Sequence, residues 1–600
     1  MGIKTGGSGR GLWAGMAVAV TLAGAPAWAA DYRPIEPTMA GQTITLTGKD
    51  MTIEQVVAIA RYGAKVVMSP ESLKRQADAY GLMLQGSTEG MAIYGFNRGS
   101  GAGREISLFQ GDPLSPQNRE YFIRRQTNTF EDGPRQGVGP ETSEEEVARA
   151  LMAVRANNMA YEAASPALGR VLVDMLNHRI TPVLQSRGTL GEADLPQMGN
   201  VVGAMGGQGD VYYQGKRMTA AEGFRQAGVA HLQPLDAIYT SAFHSSNAFT
   251  TGLAALMIAD AKEALDWADL IYAIDLNAMN SSVTPLSTPV QNMRPFQYAN
   301  LDAARILDMI RGSYLLGDDP TRIIQDPESL RASFSRQGAA WKAWATLRDT
   351  VLLQMNSSDH NPAMVLGKPT DSWELSTPQM MKYFVKGGPY SNGQSGFIFS
   401  NANWDPYPMA NEIEAFSNAM ANMGVAVVQR IYRFSSTFFT VVSPGQVLSA
   451  EQVAAAAPNA MGYEPTAIWQ ELHALAQNQT PEGNPVSATV EELQSMTILK
   501  VTRGRQIVEH TFRLLGGDLL TGAFWLDIRK AQDPSRTFGA GPTAAHAAFR
   551  RAVPWQMPAS QRPKRPEIDL GYEFLKANKA SAFYPAAAAH IDGGRFNGRP

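Results

Sequence analysis

The residues with the widest chemical scope begin at Tyr94, which opens the glycine-rich stretch Tyr94-Gly95-Phe96-Asn97-Arg98-Gly99-Ser100-Gly101. A phenol on such a loop can approach a ligand closely. It titrates near pH ~10, so as a base at neutral pH it needs a neighbouring cation or donor that favours phenolate. Arg98, in the same loop, can supply that cation. Arg331 closes the run Gln325-Asp326-Pro327-Glu328-Ser329-Leu330-Arg331, and a guanidinium there can grip a carboxylate through two parallel charge-assisted hydrogen bonds. His244 and His360, with Asp359 and Asp405, have side chains that suit a divalent ion, although their spacing forms no local metal motif. The chain has no His-Glu-x-x-His helix, no Walker loop, no Gly-x-Ser-x-Gly elbow and no cysteine, which sets aside several common chemistries.

Helices must position these groups. Apolar residues recur at three- and four-residue spacing through Glu145 to Met159, Leu168 to Leu176, Phe249 to Ile274, Leu301 to Leu316, Ala339 to Met355, Ala410 to Phe439 and Ile498 to Leu520. Thr52, followed by Glu54 and Gln55, predicts an N-cap for a helix that begins at Ile53. Gly and Pro clusters at Gly95 to Gly103, Gly203 to Gly215, Gly387 to Gly396 and Pro481 to Pro485 read as loops, with short strands expected around Val211 to Tyr213. The fold class is mainly α. The expected divisions are a leader over 1–30, a mixed, loop-rich region over 31–230, a central helical bundle over 231–545 and a C-terminal extension over 546–600.

An ordered series of local patterns then carries a resemblance. The Tyr94 loop is similar to the Tyr-Gly-Val-Asn-Thr-Gly-Phe-Gly loop of the histidine and phenylalanine ammonia-lyases. The stretch Thr181 to Gly191 looks like the approach to their prosthetic-group loop, and Gly207 to Lys216 like the segment beyond it. Gln325 to Arg331 resembles Gln-Asp-x-Tyr-Ser-Leu-Arg, Met355 to Pro362 resembles Leu-Asn-Ser-x-x-Asp-Asn-Pro with His360 in place of Asp, and Val490 to Met496 falls where the family has Gln-Glu-Asp-His-Val-Ser-Met. Their order and spacing resemble the aromatic amino acid ammonia-lyases over most of the chain. The resemblance implies a long central bundle and a homotetramer whose sites are lined by more than one subunit. It also implies Tyr94 as general base, Arg331 as carboxylate anchor with Asn97 and Asn361 as further substrate contacts, and Glu491 as an acid/base or amine contact.

Where that family builds an imidazolone electrophile from Ala-Ser-Gly, Gly191 is followed here by Glu192-Ala193 and then Asp194-Leu195. The cyclisation needs a flexible Gly and a Ser that loses water, so no imidazolone is expected from Glu192, Ala193 and Asp194. The family's supporting Asn-Gly-Thr-Gln falls near Ser241-Ala242-Phe243-His244, and its aromatic residue in the Gln-Asp motif is Glu328. No other cofactor is expected. The expectation is a lyase that acts on a small aromatic carboxylate or amino acid by proton abstraction and elimination, with altered chemistry; the alternatives are a metal-assisted enzyme built on His244 and His360, and a non-catalytic ligand-binding protein.

Composition bounds the partners. The 600 residues contain 52 Lys plus Arg against 55 Asp plus Glu, too even a balance to recruit nucleic acid. Lys4 and Arg10, the apolar run from Leu12 to about Ala23 and Ala27-Trp28-Ala29 form a secretory leader, with cleavage expected after Ala29 or Ala30 and no membrane contact thereafter. A run this short, ended by small residues, does not span a bilayer. The absence of cysteine agrees with a periplasmic or secreted destination.

Overall fold

The computed structural model describes residues 32–434, 462–479, 483, 485–554, 560 and 563–584. The expected leader and the last ten residues lie outside them. Thr52 Oγ1 accepts a hydrogen bond from the Gln55 amide at 3.2 Å while Gln55 Oε1 accepts one from the Thr52 amide at 3.0 Å. This reciprocal cap starts α1 (Ile53–Ala60), which is flanked by the parallel pair β1 (Thr43–Leu46) and β2 (Lys65–Met68). Further on, β3 (Val138–Glu141) pairs with β5 (Gln185–Arg187), while β4 (Thr181–Pro182), β6 (Asp210–Tyr213) and β7 (Lys216–Thr219) form an antiparallel sheet around the predicted strand. A third small sheet has the order β8 (Ala363–Leu366), β10 (Gly396–Phe399), β9 (Phe384–Val385).

Two helices of this region reach the site: α2 (Glu145–Asn158) and α3 (Leu195–Met205). The core itself is built around α4 (Ala248–Met279), buried from Ala248 to Ile258 and again from Ala264 to Met279. A helix without a polar face belongs at the centre of a large core. Gly252 brings it against α2: a Cβ there would sit 2.8 Å from the Ala150 carbonyl carbon. After the short α5 (Glu328–Arg331) come α6 (Ser333–Met355), α7 (Tyr407–Phe434) and α8 (Thr497–Gln532). α9 (Glu567–Ala577) closes on α8 where Gly516 and Gly571 allow backbone contact.

One side chain ties the four core helices together. The fully buried Arg430 of α7 donates to Asp275 of α4 at 2.6 Å, to Asp518 of α8 at 2.5 Å and to Ser333 Oγ of α6 at 2.8 Å. Nearer the helix starts, Gly504 of α8 approaches Met257 of α4 and Ser417 of α7, so with the Arg430 contacts further along all three helices α4, α7 and α8 run parallel, whereas Ser333 begins α6, which runs against them. All three parallel helices therefore direct their N-termini, with unpaired amides and a partial positive charge, to the same end of the bundle.

Two expectations need correction. The apolar run Leu301 to Leu316 is not one rod: the helix spans Gln297–Met309, and Gly312, at φ +77°, turns the chain into a short 3₁₀ turn, Tyr314–Leu316. The glycine cluster from Gly203 to Gly215 does not begin as loop, because Gly203 to Met205 complete α3; Asp210 to Tyr213 form the expected strand, β6. Among the described residues no helix is long and apolar enough to cross a membrane.

Candidate active site

Four segments meet where the three parallel helices begin. The loop at 188–195 is bonded to the approaches of α8 and α4: Ser495 Oγ donates to Gly191 O at 2.7 Å, the Met496 amide donates to Leu190 O at 3.2 Å, and the Asp194 amide donates to Ser246 O at 2.8 Å. Asp194 is wholly buried, accepting from Thr189 Oγ1 at 3.1 Å and from the Thr250 amide and hydroxyl at 2.8 and 3.0 Å. It thus satisfies an orphan amide of α4 from just ahead of α3. Burial pushes its carboxyl up to about 6 against the opposing pull of those bonds. Asp359 caps the same helix through the Asn247 amide at 2.9 Å and Ser246 Oγ at 2.7 Å, and Asn247 Nδ2 donates to Trp404 O at 2.7 Å, bringing in the approach to α7.

Tyr94 enters from the N-terminal region. Tyr239 donates to the Tyr94 carbonyl at 3.2 Å, and Ser241 Oγ and Arg125 hold the Gly95 carbonyl at 3.1 and 3.2 Å. Gly95 has φ +68° and Gly101 φ +51°, the left-handed conformation that this tight loop requires and glycine accepts. The loop folds so that the Gly101 amide donates to Tyr94 Oη at 3.0 Å. On its far side the Ala102 amide donates to Ser487 Oγ at 3.1 Å, and a Cβ on Gly101 would lie 3.5 Å from Glu491 Oε1. Tyr94 and Glu491 are therefore neighbours across Gly101.

Glu192 completes the acidic side. It is 9% exposed, its Oε1 is enclosed without a hydrogen-bond partner, and it lies within electrostatic reach of Glu491 and Asp405. Burial, reinforced by those two carboxylates, pushes its carboxyl up to about 7. The loop supplies no serine between Gly188 and Leu195, so its residues do not fit an imidazolone.

Other predicted residues have different surroundings. Asn97 turns into its own loop: Oδ1 accepts from the Ile93 amide at 2.7 Å and Nδ2 donates to Met91 O at 2.7 Å. Arg98 donates to Ser107 Oγ at 2.9 Å and to the Asn97 carbonyl. Asn361 Oδ1 accepts from the Asn401 amide at 3.1 Å. His244 and His360 lie behind the site near Arg155, itself bonded to Asp359 at 3.0 Å. Burial, with the Arg155 guanidinium, lowers His244 to about 4 and His360 to about 3, which keeps both imidazoles neutral. Among the described residues no three His, Cys, Asp or Glu side chains are grouped to hold a metal ion.

Arg331 is at the other end of the bundle. The carbonyl of its neighbour Leu330 accepts from Tyr272, late in α4, whereas Asp194 bonds Thr250 at the start of the same helix. The rise of 1.5 Å per residue separates those levels by about 33 Å. Arg331 pairs loosely with Glu328 at 3.7 Å and shares a cavity of about 420 Å³ with Arg294, Arg336 and Phe296. Sequence patterning missed Ser487 and Arg155. Nothing local flags Ser487, while Arg155, like Arg149 earlier in the helix, is a cation among the apolar residues of α2, which is the mark of a buried charge with a partner.

A bundle with three parallel helix N-termini closed over by acid-bearing loops defines a helical protein of the ammonia-lyase fold. The aromatic amino acid lyase family model matches residues 51–551, and the chain belongs to that family. It is 24% identical over 547 residues to histidine ammonia-lyase 2 of Fusobacterium nucleatum, covering 89% of this chain and 96% of that one. It is 26% identical over 560 residues to histidine ammonia-lyase of Sorangium cellulosum, covering 91% and 100%. The crystal structure of the ergothioneine-degrading enzyme ergothionase from Treponema denticola superposes with a TM-score of 0.72 at 22% identity, covering 89% of this chain and 99% of that one.

Proposed function

We propose that the protein is an exported lyase that eliminates a group from a small aromatic carboxylate or amino acid by proton abstraction, without an imidazolone. The observation that carries this reading is the placement of Tyr94 beside Glu491, in a family fold whose loop at 188–195 offers Glu192 rather than a serine. The Gly101 amide, donating to Tyr94 Oη at 3.0 Å, fixes the phenol oxygen within the loop. Without an electrophile, the reaction needs a more acidic proton or a better leaving group than an ordinary amino acid presents to a family ammonia-lyase.

Arg331 serves as carboxylate anchor only if it comes from another copy of the chain, since some 33 Å of α4 separates it from Tyr94 within one. The two ends are of opposite charge: Glu192, Asp405 and Glu491 gather at one, and Arg294, Arg331 and Arg336, with the Glu328 carboxylate beside them in the cavity, at the other. The Arg331 face also exposes Val290, Met293 and Phe296, at 46%, 85% and 60%, an apolar patch suited to burial between copies. The homotetramer reading rests on these features together with the family.

A screen of aromatic amino acids and their N- and β-substituted derivatives for alkene formation and released leaving group tests the reading. Turnover that falls at least 100-fold in Tyr94→Phe supports it; turnover unchanged in that variant removes Tyr94 as base. Imidazolone absorbance in the purified protein would overturn the loop assignment. N-terminal sequencing of the mature protein tests cleavage after Ala29 or Ala30.

A further inference from the structure

The backbone on both sides of Glu192 is fixed. Gly191 donates to Thr189 Oγ1 at 3.2 Å and accepts from Ser495, the Ala193 carbonyl accepts from Thr189 Oγ1 at 3.0 Å, and Asp194 locks the loop to α4. A carboxyl that replaces part of a cofactor-forming triplet could have turned to solvent. Glu192 instead is buried, with Oε1 enclosed and without a partner. An enclosed carboxylate oxygen with no donor is costly, and the cost disappears when the group carries a proton or meets a ligand.

The charged groups around it do not supply a counter-ion. Glu491 acts on it from the 486–496 turn and Asp405 from the approach to α7, while Asp194 and Asp359 turn their carboxylates to Thr189 and Thr250 and to Ser246 and Asn247 at the start of α4. Lys500 on α8 is engaged by Glu414 of α7 at 3.2 Å. Among the described residues none forms an ion pair with Glu192, so like charge and burial act together.

We propose that Glu192 is the proton donor to the departing group, a role that rests on the elimination reading above. Its carboxyl, raised to about 7, retains a proton over much of the neutral range and can release it. The base takes a proton from the carbon next to the one that bears the leaving group, and that C–H pair becomes the new double bond. The bond to the leaving group breaks with its electron pair on that group, which takes the Glu192 proton and departs as water or a neutral amine. The base has gained one proton and Glu192 has lost one; passage of that proton back through Glu491 or solvent resets the site. The substrates this selects carry a hydroxyl or an unprotonated amine, groups whose departure needs a proton.

The test uses the aromatic acid found by the screen in two forms, one with its own leaving group and one with fluoride or a quaternary ammonium, which depart without a proton. Glu192→Gln is expected to lower kcat on the first about 100-fold or more and on the second less than about fivefold. In the wild-type protein, kcat on the first should fall as pH rises through about 7 while kcat on the second does not, a comparison that needs no variant. Equal loss on both substrates, no loss on the first, or the same alkaline fall for both overturns the role of Glu192. If the wild-type protein turns over neither kind of substrate, the elimination reading fails and this assignment fails with it.

Discussion

At the residue scale, His360 and Glu192 respond to pH in opposite senses. His360 is held neutral by burial and Arg155 down to about 3, whereas in an unfolded chain it titrates near ~6.5. Between those values the unfolded chain binds a proton that the folded one does not, so this residue costs stability as pH falls from 6.5 toward 3. His360→Asn should therefore make the protein more acid-tolerant, shrinking the acid-induced drop in unfolding free energy, read by chemical denaturation, by up to about 1.4 kcal/mol per pH unit in that window. Glu192, raised to about 7 from a carboxylate value near ~4.3, has the folded state binding the extra proton, so its contribution declines as pH rises from about 4.3 to 7 and is flat above. Asp194 acts through geometry as well: Asp194→Ala strips the Thr250 amide and the loop of their shared acceptor, with an expected loss of about 1–3 kcal/mol in chemical denaturation.

The elements differ in how far they could be read in advance. The cap at Thr52 and the helix of α4 were legible, because capping chemistry and apolar residues recurring at helical spacing are local properties. The approach of Tyr94 and Glu491 to the same Gly101 was not legible from periodicity, since nearly four hundred residues of chain separate them; only the family resemblance put both at one site. The turn that presents Ser487 and Glu491 was not legible: Ser487, Ala488 and Thr489 all adopt left-handed backbone, at φ +52°, +54° and +67°, where side-chain-bearing residues are rare. Ala488 is exposed, so Ala488→Gly should relieve part of that strain and raise the melting temperature modestly, equivalent to roughly 0.5–1 kcal/mol. In the core, Arg430→Met leaves Asp275 and Asp518 facing one another with no cation. Breaking such a buried pair should cost about 3–5 kcal/mol, read by denaturation.

Across the whole molecule, the separation of Arg331 from Tyr94 makes a prediction about mixtures. If sites form between copies, Tyr94→Phe and Arg331→Ala chains, each inactive alone, should regain a measurable fraction of turnover when co-expressed, because some mixed sites then draw both intact residues. Failure to complement would tell against shared sites. The clamp at Arg430 has another consequence. Helix register is set by a guanidinium far down the bundle, while the loop at 188–195 is fastened through backbone carbonyls and amides and a few hydroxyls and carboxylates. Exchanging residues at Glu192 or Ala193 therefore leaves the scaffold's alignment untouched. The loop at 188–195 of this chain is thus an insert seated on a scaffold aligned elsewhere.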